Sequence, residues 1–579
     1  MNRRDMLSLS ARLGAASLLS LRPLRAFALR TGMLSELTGN PLRLPPTFTN
    51  GGTMMLATAN LEVWPGTTTQ VIAINNAYPC PTVRIQRGAT FAATLVNQLT
   101  QPVTAHWHGL IAPEAMDGHP KDPVAPGSSY TYTFPIIQRA GTYFYHSHTH
   151  MLTAEHVYRG FAGFFIIEDD AELPLGLPRG EFDIPLVIQD RRSVHQPQFV
   201  YSPTMMDVMN GYLGDIVLVN GTPEPYLQVS RTLYRFRLLN GSNARVYKIG
   251  FADNHSFYII GTDGGLKDEA VQATSFFLSP GERVDILVDF SSYSLNQSVM
   301  LKSLPFTGGG GSQGLELNIL RFDVTGTQSS GGVVPASMPP IAYYNPADIV
   351  RTRLFLLTMT MGGMNMHRIN NRTFELTRID EEVSKNELEE WRIVNGTTLF
   401  HPMHIHGVLF QVLARNGSTN LPPSDRGWKD TVLVNPSETV RLLVKFTDYT
   451  GIYLFHCHNL EHEDDGMMMN FRVNEPSGVV NDRHTRPSRY RLYQNYPNPF
   501  NPTTQIRFDV PETAEVRLEV FNTQGMHIAT LLHDVVHAGQ HTAEFVARNA
   551  YGQALPSGTY IARLSSDRFV HSIKMQLVK

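Results

Sequence analysis

The chain has 579 residues, of which 42% are hydrophobic and 17% charged, and a formal net charge of −3. This suits a globular protein of about four ordinary domains with sizeable cores, and so small a charge argues against a nucleic-acid or acidic partner. Two cysteines, Cys80 and Cys457, leave no disulfide framework, and no stretch has the ~20 apolar residues of a transmembrane helix.

The N-terminus reads as an export signal. Met1-Asn-Arg3-Arg4-Asp5 carries a twin arginine, a mildly apolar stretch runs through Leu18, Leu19 and Leu21, and Ala26-Phe27-Ala28 offers a small-x-small cleavage site. Residues 1–28 are therefore expected to be a signal peptide of the twin-arginine type, the alternative being a basic amphipathic tail. The expected location is outside the cytoplasm: periplasmic, cell-surface or secreted in a Gram-negative bacterium.

From about residue 50 the chain becomes a series of short alternating segments punctuated by Gly and Pro, as in β-sandwiches. Its parts repeat. Gly141-Thr-Tyr-Phe-Tyr-His146-Ser-His148 parallels Gly451-Ile-Tyr-Leu-Phe-His456-Cys457-His458, and His106-Trp-His108-Gly109 parallels His404-Ile-His406-Gly407. A middle unit has the scaffold without the histidines: Arg237-Leu-Leu-Asn240-Gly241 matches Arg392-Ile-Val-Asn395-Gly396, and Glu282-Arg283-Val matches Glu438-Thr439-Val. The expected units are residues 50–172, 180–326 and 345–475. Ligands split between the first and third imply that these two meet. Residues 308–311 and 329–332 read as loops, and the only helical-looking piece is 388–391. After Pro476 a polar linker, 476–490, leads to a further β-unit, 491–579.

Four elements carry the chemistry: His106-x-His108, His146-x-His148, His401-x-x-His404-x-His406 and His456-Cys457-His458-x-x-x-His462. In a strand, residues i and i+2 share a face, so each His-x-His pair can aim two imidazoles into one pocket. Cys457, between His456 and His458, faces the other way. A lone zinc uses four ligands at most, and zinc gives no reason for a cysteine flanked by histidines. Ten imidazoles and one thiolate instead suit a copper cluster coupled to a blue-copper site. His401, Cys457, His462 and a weak axial Met467 make the latter set. The other eight histidines can bind three further coppers.

At these residues the chain resembles the multicopper oxidases of the laccase-like, three-domain bacterial kind, over roughly residues 50–474. The resemblance implies three cupredoxin-like Greek-key sandwiches in an all-β fold and four coppers per chain. It implies that His106 and His404 hold a type 2 copper. His108, His146 and His458 would hold one type 3 copper, and His148, His406 and His456 the other. His401, Cys457, His462 and Met467 would hold type 1, with an exposed edge of His462 or His401 meeting the donor. Asp117 and Glu463 resemble the carboxylates that feed protons to the oxygen site; the plain alternative is a turn residue and a solvated acid. The implied activity is one-electron oxidation of phenols or aromatic amines coupled to reduction of dioxygen to water, with Cys457, His462, Asp117 and Glu463 as catalytic residues. Cuprous, ferrous or manganous ion is the alternative donor, given the methionines at 359–366 and Met205, Met206 and Met209, and a copper carrier without turnover is a further alternative. Residues 491–579 resemble the immunoglobulin-like sorting domain of type IX secretion, which implies secretion machinery as a partner. His119, His150, His156, His195 and His255 have no motif; His150 is read as packing near the cluster, and Cys80 as a small buried residue.

Overall fold

Alternation between apolar and polar residues builds the elements and their faces. Strand Thr90–Asn97 turns Phe91, Ala93, Leu95 and Asn97 inward while the residues between them are more exposed, as a pleated ribbon half-covered by a second sheet requires. The computed structural model describes residues 39–328, 332–360, 365–476, 487, 489–536, 538–548 and 553–578. The expected signal segment and most of the expected linker lie outside the described residues. Half of the chain is strand and 8% helix, in agreement with the all-β reading.

Each sandwich is two sheets closed on one apolar cluster. In the first, a four-stranded sheet, Thr69–Ile74, Thr53–Leu61, Thr90–Asn97 and Ser129–Pro135, faces a five-stranded one that ends Ala162–Glu168, Gly141–Ser147, Ala105–His108. Leu56 and Phe91 from one sheet and Trp107, Tyr145 and Phe165 from the other share the core. The middle sandwich has seven- and six-stranded sheets around Leu238, Ile259, Ile286 and Phe322. Asn40–Pro41, ahead of the first sandwich, pairs in parallel with Pro225–Ser230 of the middle one. The third closes on Trp391, Phe455 and Phe471, and residues beyond 490 form their own sandwich around Ile506, Leu518 and Leu564.

The last two sandwiches share a sheet. Strand Gly539–Val546 pairs in parallel with Arg351–Met359, Arg351 opposite Gln540 and Thr352 opposite His541. Arg392 of the third sandwich also bonds Asp534 of the last.

Among the described residues, four short α-helices lie in loops: α1 (Glu114–Asp117), α2 (Thr153–Tyr158), α3 (Met205–Asn210) and α4 (Leu460–Asp464). A capping box of Thr204 and Asp207 starts α3, and the Asn459 side chain caps α4. Residues 388–391 are not helical. Residues 389–391 open strand Glu389–Asn395, where buried Glu389 binds Arg353 on one neighbouring strand and buried Glu390 binds Arg441 on the other, as well as Arg392 on its own strand. Cross-strand ion pairing there overrides the helix preference of Glu.

Candidate metal centre

Strand pairing sets the histidines face to face. Ala105–His108 runs antiparallel to Gly141–Ser147 with His106 opposite His146. His401–Ile405 runs antiparallel to Gly451–Cys457 with His404 opposite His456 and Met403 opposite Cys457. The two pairs of strands then meet across the boundary between first and third sandwiches. His106 Nε2 lies 3.4 Å from His404 Nε2, and His148 Nε2 lies 3.3 Å from His456 Nε2. All eight imidazoles of this pocket are buried.

Their outward nitrogens are mostly anchored as donors. His106 Nδ1 donates to the Asp117 carbonyl at 2.7 Å, His404 Nδ1 to the Asp430 carbonyl at 2.8 Å and His146 Nδ1 to the Ser147 carbonyl at 2.8 Å. His406 Nδ1 donates to Asp117 Oδ2 at 2.7 Å and His456 Nδ1 to the Cys457 carbonyl at 3.1 Å. A neutral imidazole carries one N–H, so each inward nitrogen keeps a lone pair. His406 Nε2 and His456 Nε2 are 3.1 Å apart, and His108 Nδ1 and His146 Nε2 3.4 Å apart. Lone pairs facing at such distances need a cation between them. Both ring nitrogens of His458 are buried without a hydrogen-bond partner. Burial, reinforced by neighbouring imidazoles, holds His106, His108, His148, His404, His406 and His458 well below the usual histidine range, so they stay neutral. The nitrogens gather as His108–His146–His458, His148–His406–His456 and a group containing His106 and His404.

Three carboxylates touch the pocket. Asp117 ends α1, is buried, and has its carboxyl pushed well above the usual carboxylate range by burial and by Glu114. Gly118 after it adopts φ +84°, and a Cβ there would lie 2.0 Å from the Ala105 carbonyl oxygen, so only glycine lets the turn pack under the His106 strand. Glu463, on α4, spans two imidazoles, Oε1 at 3.4 Å from His148 Nδ1 and Oε2 at 3.2 Å from His456 Nδ1. The third, Asp430, was not among the residues singled out in the sequence. It lies 3.0 Å from His108 Nε2 and also holds Arg283 of the middle sandwich. Its only sequence signal is a charged pair, Lys429-Asp430, leading into the apolar strand Thr431–Val434.

Cys457 opens on a separate pocket. Its Sγ lies 3.5 Å from His401 Nδ1 and 3.6 Å from His462 Nδ1. Met467 is buried in the same apolar cluster; its N–H bonds the His462 carbonyl and its carbonyl accepts from Cys457 N–H. Burial pushes the Cys457 thiol up, so a thiolate there needs a cation beside it. The expected exposed histidine edge is corrected: His401 and His462 are both fully buried. His401 Nε2 meets Thr397 Oγ1 at 2.9 Å, and His462 Nε2 donates to the Met209 carbonyl of α3 at 3.1 Å. A further imidazole, His367, stacks on His462 at 3.7 Å between ring centres and donates from Nε2 to the Val208 carbonyl at 3.2 Å. Burial lowers His367 to about 4. The cover thus comes from a helix of another sandwich, which local sequence could not reveal.

The remaining histidines stand apart. His119 bonds Asn470 and His156 bonds Ser147, both buried. His150 is exposed with its ring against Phe374, so it does not pack on the cluster. Cys80 is buried, as expected, with its thiol pushed up by burial to about 12. Of the methionines, Met205 and Met206 are 65% and 60% exposed on α3; Met361 and Met364 lie outside the described residues.

Converging imidazole lone pairs beside a thiol–imidazole pocket fit copper better than any single hard cation. Multicopper oxidase family models match residues 56–172, 202–321 and 351–477. A laccase from Bacillus subtilis is 32% identical over 469 residues, covering 70% of this chain and 91% of its own. A bilirubin oxidase from Albifimbria verrucaria is also 32% identical, covering 70% of this chain and 73% of its own. Among solved structures, the McoA multicopper oxidase of Aquifex aeolicus matches with a TM-score of 0.70 and 38% identity, over 76% of this chain and all of that one. A metallo-oxidase from Campylobacter jejuni matches with a TM-score of 0.67 and 27% identity, over 76% and 96%. The chain belongs to the multicopper oxidase family and is a laccase-like, copper-dependent oxidoreductase.

Proposed function

We propose that the chain oxidises phenols or aromatic amines one electron at a time and reduces dioxygen to water, using four coppers. His106 and His404 would hold type 2; His108, His146 and His458 one type 3; His148, His406 and His456 the other; His401, Cys457, His462 and Met467 type 1. Copper bound there supplies reversible one-electron chemistry, so that four electrons taken singly can reach one dioxygen. The observation that carries the reading is the strand Gly451–Cys457: its Cys457 serves one pocket, while His456 and His458 on either side serve the other. Cys457 therefore gives electrons a short covalent path between pockets.

Water formation also consumes four protons. Asp117, its carboxyl pushed well above the usual carboxylate range by burial, accepts from His406 Nδ1 through Oδ2 and is the first candidate to hold and pass a proton. Glu463, between His148 and His456, is placed to relay others. Oxygen uptake by the fully copper-loaded protein with a phenol, compared with Cys457→Ser, tests the reading: uptake should be lost in the variant.

A second donor class has one observation in its favour. His462 is roofed by α3, whose Met205 and Met206 are exposed, and thioethers suit cuprous ion. Uptake with cuprous or ferrous ion but no phenol would select it. No uptake with any donor would indicate a copper carrier.

We further propose export, with residues 491–579 as a type IX-like sorting module. The separate core of that unit supports a module with its own role. No helix among the described residues is long and apolar enough to cross a membrane. Fractionation of a Gram-negative host with and without residues 491–579 tests this: deletion should trap the oxidase in the periplasm.

A further inference from the structure

A buried sulfur–imidazole pocket needs an inlet for electrons, and the histidine edges do not provide one. His462 Nε2 is taken by the Met209 carbonyl, the His367 ring lies on the His462 ring, and His401 Nε2 meets Thr397. No donor can touch either ring in this arrangement. The residue before His462, however, is reached from outside. Glu461 is buried on α4. Its Oε1 accepts from the Tyr201 hydroxyl at 3.1 Å and from Asn243 Nδ2 at 2.8 Å, and its Oε2 accepts from the Tyr212 N–H at 2.9 Å. Held by three donors, this side chain joins the Tyr201 hydroxyl to His462 through one hydrogen bond and then covalent bonds alone.

Tyr201 is only partly buried. Its ring packs on Tyr212 and Tyr158, with ring centres 4.9 and 5.7 Å away, and Arg192 covers Tyr212 at 3.7 Å. Its open side lines a cleft of about 540 Å³ between the first and middle sandwiches. Phe199 and Val200 continue the apolar wall. Asn60, of strand Thr53–Leu61, and Glu155 and Arg159, at α2, form the polar side. Arg159 Nη1 pairs with Glu155 Oε1 at 3.1 Å, so the lining carries no net charge. An aromatic and aliphatic wall facing neutralised polar groups suits an uncharged ring that bears a hydroxyl, and the volume falls in the range that holds small ligands.

We propose that this cleft is a docking site for neutral phenols, and that Tyr201 and Glu461 form the path by which their electrons reach His462. The proposal rests on the type 1 role given above for His462. A docked phenol gives up one electron along the path and its hydroxyl proton to water at the open mouth, leaving as a phenoxyl radical; dioxygen is the final oxidant. The middle sandwich, which holds no copper ligand, would thus own the donor site through Phe199, Val200 and Tyr201, on the stretch just ahead of α3.

The test uses the full, copper-loaded chain. Wild-type crystals are soaked in 4-cyanophenol, which resists one-electron oxidation, at a mildly acidic pH that keeps it uncharged. Its ring should lie in the cleft against Tyr201; a ring found against α3 instead, or none in the cleft, overturns the proposal whatever any variant does. Val200→Trp fills the cleft from a side chain that is 41% exposed, and should raise KM for 2,6-dimethoxyphenol about tenfold with kcat little changed. Tyr201→Phe keeps the ring and removes the hydroxyl. Under argon it should slow bleaching of the type 1 band by the same phenol about tenfold, with KM, copper per chain and band position unchanged. A merely structural role for Tyr201 would shift the band or the copper content instead, and wild-type behaviour of both variants overturns the proposal as well. If the wild type takes up no oxygen with any phenol, the function proposed above fails; an empty cleft in an active phenol oxidase removes the docking site alone.

Discussion

The two metal pockets are built from opposite materials. Around the eight histidines lie Asp117, Glu463 and Asp430, and several imidazoles are moored to a carboxylate. Around Cys457, among the described residues, no carboxylate lies within hydrogen-bonding reach of Cys457, His401 or His462; their anchors are Thr397, Asn459 and the Met209 carbonyl. On the proposed roles of the two pockets, the contrast follows the chemistry. Dioxygen reduction takes up a proton with each electron, so its pocket needs groups that hold and pass protons. A pocket that only relays electrons gains from dryness and rigidity, and ionisable neighbours would add solvent reorganisation.

The strongest challenge to this division is Cys457→Ser. It should reduce oxygen uptake to background while the eight-histidine pocket still binds copper, read by oxygen electrode and metal analysis; uptake near wild type would mean that the pockets are not wired through this strand. Next come the carboxylates. Glu463→Gln and Asp117→Asn should each lower kcat about 10²-fold while leaving KM for the donor unchanged. A change in KM alone would move them from the oxygen pocket to the donor side.

A third expectation concerns pH and the copper-free protein. His106, His108, His148, His404, His406 and His458 are held below their ordinary value by burial, so the unfolded chain takes up their protons first. Stability is then retained above about pH 6.5 and lost below it, by about 1.4 kcal/mol per pH unit for each such histidine. Carboxyls raised by burial, Asp117, Asp464, Glu461 and Asp263 among them, work in the opposite direction but are outnumbered by the lowered histidines, which also include His146, His401 and His462. The thermal midpoint of the copper-free protein should be lower at pH 5.5 than at 7.5; an equal or higher midpoint would contradict the neutral-imidazole pocket. The smallest effect is expected at His367. Replacement by Ala removes the ring stacked on His462 and should shift the type 1 visible band, with kcat changed less than tenfold, whereas Phe should preserve the band. Identical spectra for both would show that the stack has no bearing on the type 1 pocket.

Much of this was legible in sequence because it is local. The His-x-His pairs, the strands that carry them and the duplication of first and third units follow from residues two to eight apart. What stayed hidden is long-range. Asp430 and Arg283 are 147 positions apart, and nothing in either's neighbourhood announces the other. The expected exposed edge of His462 failed for a similar reason: its roof, α3, is 253 residues away. Glu389 and Glu390 suggested a helix because their partners, Arg353 and Arg441, come from other strands.

The shared sheet has a consequence for anyone shortening this enzyme. Ending the chain at residue 476 would strip Arg351 and Thr352 of their backbone partners Gln540 and His541 and deprive Arg392 of Asp534. The catalytic body would then show a bare strand margin, the kind of surface on which a second molecule can zip itself. A trimmed version intended to stay monodisperse should therefore carry a lysine or proline on that margin, or keep the appendage as a built-in bumper.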